Sequence, residues 1–130
     1  MKKLMLMGAC LSLLAALGCG GGDKAADTTT APAAGPAYPV DLANGKRVYD
    51  KACFACHMTG VNGAAIVTDK VRWQAQVDKG MPLLHKHVIE GVTGTFGTLP
   101  PRGTCVDCSD QDLYDAIHYM MSLAGVTPKY

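Results

Sequence analysis

Cys53-Phe54-Ala55-Cys56-His57 sets two thiols about one helical turn apart, with an imidazole directly after the second. This C-x-x-C-H spacing is that of c-type haem attachment. The thiols can add to the two vinyl groups of a haem, and the adjoining ring then reaches the iron. Cys53 and Cys56 are thus the candidate covalent haem-binding residues, and His57 the candidate proximal iron ligand. Two other chemistries use cysteines at this spacing, a redox-active dithiol and half of a zinc site. The zinc reading would join this pair to Cys105 and Cys108, which lie far beyond ribbon spacing, and an oxidising compartment disfavours free zinc thiolates.

The compartment is read from the start of the chain. Met1-Lys2-Lys3 and the apolar run Leu4 to Leu17 fit an export signal over residues 1–18; the run is too short for a membrane span, which needs about 20 residues. Cys10 lies inside the run and leaves with it. The end of the run, Leu14-Ala15-Ala16-Leu17-Gly18-Cys19, resembles a bacterial lipobox, with Ala16 where leucine is usual. That resemblance makes Cys19 a candidate lipidation site; the other reading is ordinary signal cleavage with Cys19 incidental. Residues 19–37, rich in Gly, Ala, Thr and Pro, read as a flexible tether that would hold the domain near a membrane without burying it.

Residues 38–130 form the folded domain. Asp41 caps a helix with Leu42, Gly45, Val48, Tyr49 and Ala52 at spacings of three and four. A second helix spans Asp69 to Lys79 and stops at Gly80, and a third follows Pro82 and stops at Gly91. Ser109-Asp110-Gln111-Asp112 resembles a capping box ahead of a last helix with Leu113, Ala116, Ile117, Met120 and Leu123 on one face. About four short helices without a convincing alternating strand make the domain all-α. Twelve Lys+Arg against 11 Asp+Glu give no basic excess, so composition offers no support for nucleic-acid binding. Aromatics are only 6% of the chain, so a domain this small needs a staple or a cofactor to complete its core.

The ordered set Gly45-Lys-Arg-Val-Tyr49, the haem motif, Gly60-Val-Asn-Gly-Ala64, Asp69-Lys-Val-Arg-Trp73, Gly80-Met81 and Pro100-Pro-Arg-Gly-Thr-Cys-Val-Asp-Cys-Ser109 resembles a bacterial class I cytochrome c of the c-five type over residues 39–124. The resemblance implies the class I cytochrome c fold around one covalently bound haem c, with the helix bearing Gly45 and Tyr49 crossing the last helix near Tyr119. It implies a local Cys105–Cys108 disulfide, as some members carry, against free thiols as the other reading. It also implies that Trp73 donates its indole N–H to a haem propionate, the alternative being a core tryptophan without that bond.

Two positions depart from the family. Leu99 stands where the methionine that binds the sixth iron position is expected, and leucine has no donor atom. Ala65 replaces the proline whose carbonyl accepts the His57 ring N–H, a bond that alanine can still accept. Of the other histidines His87 is the best substitute ligand by its family position, ahead of His85 and His118. Met81, Met120 and Met121 read as packing residues. The expected function is electron transfer between redox partners in the bacterial cell envelope, without substrate chemistry. The alternative is a haem enzyme or small-ligand sensor with an open sixth site; a haem-free lipoprotein with two local disulfides is the third reading.

Overall fold

The computed structural model describes residues 39–130. The expected export signal, Cys19 and the expected tether fall on residues outside those described. Helix α1, Leu42–Val48, begins where the Asp41 carboxyl accepts the N–H groups of Ala43 and Asn44 at 2.9 and 3.0 Å. It runs through a π-helical turn, Tyr49–Cys53, into α2, Phe54–Thr59. In that turn the Phe54 N–H reaches back five residues to the Tyr49 carbonyl, which re-aims the chain at the haem motif. Gly60, at φ 77°, ends α2 in the left-handed region that a side chain would disfavour. Helix α3, Lys70–Val77, is capped by Asp69 and is shorter than the sequence reading; Gly80 separates it from α4, Met81–Glu90. The expected capping box forms, with Ser109 and Asp112 satisfying each other's backbone donors ahead of α5, Asp110–Ala124.

One element departs from the all-helical reading. Val92–Gly94 (β1) and Gly97–Leu99 (β2) pair as an antiparallel hairpin with Val92 opposite Leu99 and Thr93 opposite Thr98. Three-residue strands are too short to display an alternating pattern, although the threonines favour extended backbone.

Helices α1 and α5 cross with backbone against backbone. A β-carbon on Gly45 would sit 2.2 Å from the Asp115 carbonyl oxygen and 3.0 Å from Tyr119 Cβ. Beside this contact Asn44 Nδ2 donates to Asp112 and to Asp115, both at 2.8 Å, and Gln111 Nε2 donates to Asp115 at 2.7 Å, so the buried Asp115 is held by donors from both helices. Gly45→Ala is therefore expected to cost about 3 kcal/mol by overpacking, despite alanine's better helix propensity, read as a lower denaturant midpoint at unchanged slope.

The core has two parts. Tyr49, Val67, Trp73, Val77, Met81, Leu84, Tyr114, Ile117 and Met121 make one, and Val48, Cys105, Cys108, Leu113 and Ala116 the other; Cys53 and Val88 pack against both. The chain end straps this core: the Met81 N–H donates to the Lys129 carbonyl at 2.7 Å, Val126 is buried, and the Tyr130 hydroxyl lies 3.1 Å from that of Tyr114 and 3.3 Å from His118 Nε2. Burial holds the His118 pKa below its ordinary 6.5. The unfolded chain therefore takes up this proton first, and stability is lost as pH falls below about 6.5. His118→Phe should flatten that part of a stability-versus-pH curve measured by thermal melting.

Candidate functional site

The π turn ends at Cys53, which packs against both core clusters, and α2 carries Cys56 and His57 directly after it. Both thiols are free and half-buried. Burial, and secondarily the neighbouring Cys56, push the Cys53 thiol up to about 11. A reactive dithiol draws on a lowered thiol pKa, so burial of Cys53 disfavours that reading. Cys105 and Cys108 are joined to each other, Cα to Cα 5.4 Å, and so do not complete a four-cysteine site with this pair.

His57 Nδ1 lies 2.8 Å from the Ala65 carbonyl oxygen. With the Nδ1–H donated there, Nε2 is left with its lone pair outward, the tautomer an iron ligand requires. The replacement of proline by Ala65 thus leaves the hydrogen bond in place. Burial lowers the His57 pKa, the Ala65 carbonyl partly opposes this, and Arg72 adds to the lowering. The ring is kept neutral.

Trp73 is buried, with its ring centroid 5.8 Å from that of His57. Its indole N–H donates to the Ile66 carbonyl at 3.0 Å, the geometry of the core-tryptophan alternative. The neighbouring Arg72, which sequence reasoning passed over, is anchored too. Its Nη2 donates to Gly63 O at 2.6 Å and its guanidinium lies 4.6 Å over the Phe96 ring, while its buried Nε has no acceptor among the described residues. The buried Tyr49 hydroxyl, on the turn that carries Cys53, is likewise without a partner among the described residues. Two orphaned donors beside two thiols and a neutral imidazole fit a macrocycle that carries its own carboxylates.

Leu99 ends β2, half-buried. Its carbonyl oxygen would be 2.9 Å from a β-carbon on Gly91, so the end of α4 presses on the Leu99 backbone. His87 lies one turn before Gly91 on the same face of α4. Among the described residues its ring has no hydrogen-bond partner. The other two distal candidates are engaged: His85 Nε2 is 3.2 Å from the Asp110 carbonyl oxygen, and His118 is buried against Tyr114 and Tyr130. Met81, Met120 and Met121 are buried in the core, as packing residues should be.

Residues 40–120 match a family model described as cytochrome c oxidase, cbb3-type, subunit III. Over 87 residues the chain is 38% identical to cytochrome c-555 of Chlorobaculum tepidum, covering 67% of this chain and 81% of that one. The chain belongs to the class I monohaem cytochromes c. This cytochrome is also 39% identical over 75 residues to cytochrome c5 of Ectopseudomonas mendocina, covering 56% of this chain and 82% of that one. A solved structure described as an electron transfer complex of nitrite reductase with cytochrome c superposes with a TM-score of 0.57 at 32% identity, covering 66% of this cytochrome and 99% of that chain. The cytochrome carries a covalently bound haem c and functions in electron transfer. Its mostly helical fold is that of class I, and the alternative of an open-site enzyme or sensor gains no support from these relatives.

Proposed function

We propose that this cytochrome is an exported electron carrier of the bacterial cell envelope, tethered to a membrane through a lipidated Cys19, with haem held by thioethers from Cys53 and Cys56 and iron between His57 and His87. The observation that carries the haem assignment is the His57 imidazole, fixed through Nδ1 to Ala65 and beside the two free thiols. Haem supplies the one-electron change between ferrous and ferric iron. The protein's residues hold, orient and shield it, and no residue is assigned to breaking a substrate bond. Arg72 Nε is the donor best placed to meet a haem carboxylate, since it is buried and has no other partner among the described residues.

His87 is favoured as sixth ligand because its ring is uncommitted and stands one turn from the contact between α4 and the Leu99 segment. Imidazole in place of a thioether favours ferric iron, so the midpoint potential should fall below those of methionine-ligated relatives. A midpoint within their range counts against this pair.

The partners are redox proteins docked transiently, in keeping with a related cytochrome c found in a complex with nitrite reductase. The tether reading rests on the sequence around Cys19; no helix among the described residues is long and apolar enough to cross a membrane. Mass spectrometry of the protein from membranes tests it. A diacylglyceryl group on Cys19, and release of Cys19→Ala into the soluble fraction, support the anchor; an unmodified N-terminus at any other residue rejects it.

A further inference from the structure

The segment after α5 is held to the helices by contacts that meet at one buried imidazole. Gly125, at φ 65°, turns the chain back, and Val126 enters the core with its N–H donating to the Met121 carbonyl at 3.1 Å. Further on, the Lys129 carbonyl accepts the Met81 N–H at 2.7 Å, which gives the first amide of α4 the partner its own helix cannot supply. Tyr130 then lays its ring along His118, centroids 6.4 Å apart and planes at 22°, with its hydroxyl 3.3 Å from His118 Nε2 and 3.1 Å from the Tyr114 hydroxyl. His118 is 6% exposed, whereas Tyr130 is 47% exposed, so a loosely seated ring lies against a buried base. The Lys129–Asp78 pair, 4.0 Å apart and exposed at both ends, adds little to the hold. Four titratable groups face the imidazole: Tyr114 and Asp115 from α5, His85 from α4 and Tyr130 from the segment after α5. Asp115 alone is anionic, and its carboxylate already accepts the Asp41 N–H, Asn44 Nδ2 and Gln111 Nε2. Burial, the largest influence, holds the imidazole below its ordinary 6.5; Asp115 pulls the other way and His85 adds to the lowering.

We propose that residues 126–130 are a proton-sensitive strap: when His118 takes up a proton from solvent, Tyr130 swings away and the Lys129 carbonyl lets go of the start of α4 while the rest of the domain stays folded. A buried imidazolium lacks the hydration that water would give it. Displacing Tyr130 is the smallest movement that restores it. That movement gives up the two hydroxyl contacts of Tyr130 and the single backbone bond next to it, whereas α5 and Tyr114 keep their places. Protonation and closure therefore oppose each other, and acid shifts the balance between two arrangements of one short segment. The segment it frees is the first turn of α4, the helix that also bears His87, and the strap acts in the same way whether or not that ring binds the iron.

Two titrations of the haem-loaded protein test this. Nuclear magnetic resonance of the imidazole protons should place the His118 pKa below 6.5 in the parent and move it back toward 6.5 in Tyr130→Ala, because the effect of closure on the proton equals that of the proton on closure. Tyr130→Phe, which keeps the ring and loses only the hydroxyl, should move it less. Native-state hydrogen exchange should show the Met81 and Val126 amides opening at a lower free energy than the Ile117 amide within α5. Between about pH 7.5 and pH 5 the protection factors of Met81 and Val126, corrected for the intrinsic exchange rate, should fall by up to about tenfold per pH unit, the limit for one proton. His118→Phe should remove that fall, and Tyr130→Ala should lower the protection of Met81 already at neutral pH. A His118 pKa that Tyr130→Ala leaves unchanged overturns the strap. So does protection of Met81 that persists in acid, or that equals the protection of Ile117 at every pH, since release would then occur only with global unfolding.

Discussion

A Cys53→Ala, Cys56→Ala double variant is expected to carry no haem through a denaturing gel and to lose its cooperative melting transition. Cys53 and Val88 pack against both core clusters, so a haem bonded to Cys53 adds apolar contact where the two meet. Without a covalent tether the haem is free to leave, and the two clusters are left around unfilled space. Domains of this size have a stability of about 5–15 kcal/mol, and loss of the largest apolar body in the core removes most of that. Haem staining on a gel and circular-dichroism melting check both halves. A variant that still holds haem after denaturation, or that melts with the parent's cooperativity, contradicts the assignment of the thioether residues.

His87→Ala is expected to convert a low-spin iron to a high-spin one and to make the ferrous protein bind carbon monoxide rapidly. The His87 ring makes no hydrogen bond among the described residues, so its removal leaves α4 and the hairpin otherwise supported. His85→Ala and His118→Phe should keep the low-spin spectrum, since those rings are held by Asp110 and by the two tyrosines. Added imidazole should restore the low-spin spectrum of His87→Ala, which a merely structural defect would not permit. A His87→Ala spectrum unchanged from the parent removes His87 from the iron.

The sequence reading was strongest where the chemistry is local. Asp41 and Ser109 act as helix caps, as read, because a side-chain oxygen three residues from an amide needs no distant partner. Gly45 stood out because close helix crossing leaves no room for a β-carbon. The haem motif was legible for the same reason: its reactive groups lie within five residues. The hairpin was not, because its strands are three residues each. Nor was the role of Arg72, whose anchors are backbone carbonyls and an aromatic ring set by tertiary packing rather than by residue type. For Trp73 the family analogy offered a haem carboxylate beside the plain core reading, and residue type could not choose between them; the bond to the Ile66 carbonyl depends on tertiary packing. Likewise three histidine positions beyond His57 looked open in sequence, and the engagement of His85 and His118 distinguishes His87 from them.

The most direct test is a spectroelectrochemical titration of the full-length protein produced with haem-maturation machinery, followed through the haem absorption bands with and without carbon monoxide. A single one-electron transition, low-spin iron in both states and no carbon monoxide adduct would bear out a carrier whose iron is closed on both sides by the protein. High-spin ferrous iron that binds carbon monoxide at once would contradict it.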